Sequence, residues 1–135
     1  MKTSSAKAKG RELQKHVAKE IREKFDLPDT DVVSRPMGSS GVDIMMSEKA
    51  LAMLPVSIEC KNTKKFPSLS ALEQSENNCY DATVPAASWK PPGKGYDDTI
   101  IYMKLSDFLD LWEYKVNPKK DVHTLNAMMG GNIIT

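Results

Sequence analysis

Val56-Ser57-Ile58-Glu59-Cys60-Lys61-Asn62 is the stretch on which the reading of this chain turns. Its β-branched and apolar residues, opened by Pro55, predict a strand over Val56 to Lys61. Side chains on a strand alternate between its faces, so Glu59 and Lys61 point to one side and Ile58 and Cys60 to the other. A second acid precedes this strand by one short excursion, in Gly41-Val42-Asp43-Ile44, on what reads as an adjacent strand. The plainer reading of Glu59 and Lys61 is a surface ion pair, common on strands and worth little. Three features weigh against it. Ile58 and Cys60 imply a strand packed into the fold, Asp43 follows a loop of small residues, and Gln14 faces the sheet from the first helix.

Outward from that stretch the elements follow in order. Leu13, Val17, Ile21 and Phe25 recur every fourth residue and predict an amphipathic helix over Ala6 to Phe25, with Gln14 beside the apolar stripe and Leu27-Pro28-Asp29 ending it. Asp31 to Arg35 reads as a short strand stopped by Pro36, Met37 to Gly41 as a loop, and Val42 to Met46 as a second strand. Ser47 to Leu54 reads as a short helix capped by Ser47 and closed by Pro55. Past the third strand, the capping-box spacing of Ser70 and Glu73 predicts a helix running to about Tyr80. Ala86 to Lys90 and Thr99 to Met103 read as strands joined by a loop over 91–98, and Leu105 to Tyr114 as a last helix with Phe108, Leu109, Leu111 and Trp112 as its apolar residues. The expected architecture is therefore mixed α/β around one small sheet. A single domain over 1–116 and a C-terminal tail over 117–135, in which Gly130-Gly131 suggests a loose or partner-dependent segment, fit the length of 135 residues.

Composition narrows the class. No apolar run approaches the roughly 18 residues of a membrane span, and the charged N-terminus lacks a signal core, so the expectation is a cytoplasmic protein with no membrane partner. Cys60 and Cys79 lack zinc-like spacing and read as reduced thiols, Cys60 in the core. His16 and His123 read as surface residues outside any ligand-like cluster. The net charge of +1 is uninformative, but its distribution is not. The first two dozen residues are rich in lysine and arginine, and Lys61, Lys64 and Lys65 form a second basic cluster. Such patches suit phosphate contacts, and a solvated helix face explains the first about equally well.

Magnesium prefers oxygen ligands and keeps several waters, so two carboxylates and a backbone carbonyl make an adequate site. Asp43 and Glu59 would supply the carboxylates and Cys60 the carbonyl. A divalent ion there would polarise a phosphate and acidify water, with Lys61 placed to orient that water or balance charge on phosphorus.

Lys9-Gly10-x-x-x-Gln14, Ser34-Arg35-x-x-Gly38-Ser39-Ser40-Gly41-Val42-Asp43 and Glu59-Cys60-Lys61-Asn62 together resemble the PD-(D/E)xK nucleases, and within them the archaeal-type Holliday junction resolvases and small phage-encoded nucleases. The resemblance spans about Ala6 to Leu111. It implies a restriction-endonuclease-like αβββαβ core, a central mixed sheet flanked by helices, and a metal-dependent DNA endonuclease using Mg2+, with Mn2+ able to substitute. It implies a catalytic set of Asp43, Glu59 and Lys61 with Gln14 beside it, and metal ligands Asp43, Glu59 and the Cys60 carbonyl. DNA-binding positions would be Lys9, Arg11, Arg35, Ser39, Ser40, Lys64, Lys65 and Gln74. For Lys64 and Lys65 a solvated loop is the alternative, and for Gln74 an exposed helix position. Branched DNA, a homodimer and a cytoplasmic setting (a host's, if phage-encoded) are further implications. The alternatives are a nuclease of the same fold acting on linear duplex or single-stranded DNA, and a non-catalytic DNA-binding protein. Two positions depart from the pattern. Val42 replaces the proline, and Gln14 stands where the resolvases carry a glutamate, so a one-metal centre is expected.

Overall fold

The computed structural model describes residues 4–117. Its elements are α1 (Ser4–Phe25), β1 (Val32–Ser34), β2 (Ile44–Met46), α2 (Glu48–Met53), β3 (Val56–Lys61), α3 (Ser68–Asn78), β4 (Val84–Trp89), β5 (Ile100–Tyr102) and α4 (Leu105–Val116). A 3-10 turn, Tyr96–Asp98, interrupts the loop before β5. The tail beyond Asn117, with His123 and Gly130-Gly131, lies outside the described residues.

The protein is α/β, but its strands form two sheets. β1 and β2 pair antiparallel, Val32 facing Met46. A separate mixed sheet runs β3-β4-β5, with β3 parallel to β4 and β5 antiparallel to it. The expectation of one continuous sheet is thereby corrected: β2 and β3 lie side by side without a shared ladder.

Helices cover both faces of the larger sheet. Leu13, Val17, Ala18 and Ile21 of α1 form one core with Ile58, Cys60, Val84 and Ala86. Ala71 and Leu72 of α3 close on Ala87 from the other side. Every residue of β3 but Lys61 is buried, as expected for a strand packed on both faces. Under α3, Ser57, Ser75 and Thr83 satisfy one another. Ser75 Oγ donates to Ser57 O (2.9 Å), and the Ser57 and Thr83 hydroxyls lie 2.8 Å apart. Buried polar groups paired in this way cost little.

Local signals account for most boundaries. Ser47 caps α2, its hydroxyl accepting from Ala50 N at 3.2 Å. α1 ends a little before Pro28 because Asp26 turns left-handed (φ 53°) and Leu27 N reaches back to Arg22 O (2.9 Å), a Schellman-type stop. α3 starts ahead of the expected box. Ser70 lies inside the helix with its hydroxyl on Pro67 O (2.7 Å). β4 begins at Val84, two residues before the expected Ala86, and so contains Pro85. β5 pairs only from Ala87 onward, so the missing amide of Pro85 falls where β4 has no outer neighbour. α4 differs most from expectation. Leu111 packs on the core, whereas Leu105, Phe108, Leu109, Trp112 and Val116 face outward. Among the described residues no helix is long and apolar enough to cross a membrane.

Candidate active site

Three local devices place Asp43. Arg35 N donates to Asp43 O (2.8 Å), closing the base of the loop between β1 and β2. Arg35 Nε donates to Val42 O at 2.6 Å. Gly41 adopts φ +128°, which favours glycine, and a Cβ there would lie 2.7 Å from the Arg35 guanidinium carbon, so any other residue would also displace the Arg35 side chain. Ser39 and Ser40 are exposed at the rim of that loop, with Ser39 Oγ donating to Pro36 O (2.8 Å).

Asp43 then reaches β3. Its Oδ2 accepts the amide of Cys60 at 2.8 Å, replacing the ladder bond that a paired β2 would have supplied. The N–H and C=O of one strand residue leave by the same edge, so the Cys60 carbonyl is directed to the edge where Asp43 stands. The Cys60 thiol itself is buried in the core, and burial pushes its pKa far up, so it offers no thiolate. Cys60 and Cys79 are both free.

Glu59 is the unusual group. It is 5% exposed, in the middle of a buried strand. Its Oε2 lies 3.5 Å from Lys61 Nζ, and its Oε1 is buried with no hydrogen-bond partner. Burial first, and the neighbouring charge of Asp43 second, raise its pKa to about 7, while Lys61 pulls it down. Asp43 is also raised by burial, opposed by the Cys60 amide, Lys61, a side-chain hydrogen bond with Glu59, and Arg35. A structural ion pair would satisfy both oxygens of a buried carboxylate. Here one oxygen is left over, beside a second carboxyl. Gln14 repeats the pattern: it is 8% exposed on α1, and its Oε1 is likewise buried without a partner. An unsatisfied carboxylate oxygen beside a second carboxyl suits a cation.

The structure thus brings Asp43, Glu59, Lys61 and the Cys60 backbone together. The other expected positions divide. Arg35 is half-buried and engaged with the loop. Lys9 and Lys64 line one open groove of about 570 Å³, together with Asn62, Thr63, Lys90 and Tyr96. Asn62 Nδ2 donates to Lys9 O (3.0 Å), fastening α1 to the loop that leaves β3. Arg11 and Lys65 are exposed outside that lining, and Gln74 is exposed on α3, where the next residue, Ser75, turns into the sheet instead. Lys90 and Tyr96 were not singled out in the sequence. Lys90 Nζ lies 5.4 Å from the Tyr96 ring centre, joining the end of the expected strand to a loop whose composition signalled only irregular chain.

His16 requires a correction. It lies within 3.5 Å of Glu20 and 3.8 Å of Asp97, with Tyr96 against its ring, so it does belong to a ligand-like cluster. The i,i+4 pairing with Glu20 was visible in the sequence, but the 3-10 turn that brings Asp97 was not. The carboxylate side chains of Glu20 and Asp97 are 58% and 92% exposed, the setting of hydrated surface ion pairs.

No protein-family model, curated protein or solved structure matches the chain.

Proposed function

We propose that this protein is a metal-dependent deoxyribonuclease that hydrolyses phosphodiester bonds, built on a restriction-endonuclease-like core. The observation that carries the reading is the unsatisfied Oε1 of Glu59, held beside Asp43 on a buried strand with Lys61 on the same face. A non-catalytic DNA-binding protein would have no use for two adjacent acids near a phosphate, the charge of Asp43 raising the cost of ionising Glu59.

Mg2+ or Mn2+ would be held by Asp43, Glu59 and the Cys60 carbonyl, and would supply Lewis-acid charge beside a phosphate. The chain's own groups do the remainder. Asp43 keeps one oxygen on the Cys60 amide, which fixes its carboxylate relative to β3. Glu59, once ionised, would offer its unsatisfied oxygen as a second ligand. The Lys61 ammonium sits where it can balance charge accumulating on phosphorus and orient an attacking water. Ser39 and Ser40, exposed on the loop that leads into Asp43, would approach the substrate phosphate. Lys9, Lys64 and Lys90 would guide the DNA backbone through the groove that begins one residue past Lys61. Two carboxylates with no third acid, Gln14 being neutral, fit a single ion.

We read the substrate as branched or otherwise non-duplex DNA. Symmetric cutting of a two-fold junction would call for a homodimer. Labelled four-way junction, flap, duplex and single-stranded substrates, each incubated with Mg2+ and with EDTA, test both levels. Mg2+-dependent cleavage supports the nuclease reading. Junctions cut no faster than plain duplex would remove the preference for branched DNA.

A further inference from the structure

We infer that the loop leaving the active strand is a base-stacking site, with Phe66 as its platform, and that the enzyme engages an unpaired nucleotide of single-stranded DNA next to the cut. This rests on the nuclease reading above and adds the form of DNA recognised.

Phe66 is 50% exposed on the loop between β3 and α3. Single exposed apolar residues are ordinary. What sets this one apart is how it is held. Its ring lies edge-on to Trp89 (5.2 Å between centroids) and tilted against Tyr102 (4.8 Å). The polar ends of those two rings are tied to the loop and to the first residue of α3 that follows it. Trp89 Nε1 donates to Thr63 O (3.0 Å), and Tyr102 OH donates to Ser68 O (2.8 Å). Thr63 Oγ1 donates to Lys65 O (2.7 Å), and Asn62 ties the start of the loop to α1. A loop fixed at so many points orients Phe66 in advance, which lowers the entropy cost of binding.

The chemistry around the ring is that of a nucleic-acid strand. Lys64 and Lys65 are exposed immediately before it, and Lys64 also lines the basic groove with Lys9 and Lys90. Alternating cationic and aromatic groups track a backbone and stack its bases. Phe66 stands five positions past Lys61, at most about 17 Å of chain, so a base on the ring would lie close to the scissile phosphate. A paired base inside a duplex has no free face for such a ring. An unpaired base has one.

The test is the affinity of fluorescein-labelled dT12 and of a 12-base-pair duplex, measured by anisotropy in EDTA so that nothing is cut. Wild type is expected to favour dT12. Phe66→Ala should weaken dT12 binding roughly 5- to 150-fold, the range for losing one stacked base, and change duplex binding less than about 2-fold. Phe66→Leu, which keeps an apolar cover over Trp89 and Tyr102, should show the same selective loss, and serves if the alanine variant unfolds. Phe66→Trp should restore binding. Unchanged dT12 affinity in a folded variant, or equal losses on both DNAs, would overturn the inference. A protein that binds dT12 through Phe66 but never cuts would refute only the nuclease reading; one that cuts with Phe66 immaterial would refute only this one.

Discussion

Cys60 donates its amide to Oδ2 of Asp43 at 2.8 Å, across a seam where two neighbouring strands share no ladder. This bond orients the first acid of the candidate site and closes the gap between the two sheets, so it has a structural role and a chemical one. The two are separable by substitution. Asp43→Asn keeps an oxygen for the Cys60 amide and removes a carboxylate whose ionisation burial opposes. Its melting temperature should equal or exceed that of wild type while cleavage is lost. Asp43→Ala leaves the amide unpaired, a cost of about 1–3 kcal/mol, and should melt several degrees lower. Thermal melts of both variants without metal check the order.

Glu59 makes stability depend on pH with a definite sign. Its folded pKa of about 7 lies above its ordinary 4.5, so the folded state binds the extra proton between those values. The contribution of this group is therefore most favourable below about pH 4.5 and is lost as pH rises toward 7, a total on the order of 3 kcal/mol. Glu59→Gln should melt higher than wild type at pH 8, with the gain shrinking toward pH 5. Mg2+ should raise the melting temperature of wild type at pH 8 and leave Glu59→Gln unmoved. Because metal and proton compete for the same oxygens, activity should climb through about pH 7.

Lys61 lowers the pKa of Glu59 and faces the same space. Lys61→Met should cut turnover by about 10²- to 10³-fold, the usual cost of removing one charge-stabilising donor. It should also move the rising limb of the pH–rate profile to higher pH. A rate loss with an unmoved limb would mean that Lys61 acts apart from Glu59.

Gly41 tests the loop that aims Asp43. Gly41→Ala combines a left-handed backbone with a Cβ 2.7 Å from the Arg35 guanidinium. A destabilisation of about 1–3 kcal/mol is expected. Adding Arg35→Ala should relieve the steric part alone, a non-additivity readable in denaturant melts of the two single variants and the double.

The candidate site was more legible in the sequence than the sheet that carries it. β3 declares itself by its β-branched and apolar residues after Pro55, and period-two alternation puts Glu59 and Lys61 on one face without further information. The Ser47 cap and the inward Gln14 follow from equally local rules. What failed depends on distance along the chain. Asp43's carboxylate standing in for a ladder bond cannot be inferred from spacing, so two sheets read as one. Helical periodicity in α4 identifies an apolar face but not its direction, and only Leu111 points inward. Pro85 reads as a strand boundary because sequence does not reveal where β5 stops pairing. The cluster of His16 with Asp97, and the hold of Trp89 and Tyr102 on the loop around Phe66, join segments far apart in sequence.

The most direct test of the central claim is single-turnover cleavage of a labelled four-way junction and a single strand by wild type, Asp43→Asn and Glu59→Gln. Each is assayed with Mg2+ and with EDTA, with folding confirmed by melting. Cleavage by wild type should require Mg2+ and be lost in both variants while their DNA binding persists. Wild-type cleavage rates in either folded variant, or no metal-dependent cleavage of any DNA by wild type, would contradict that claim.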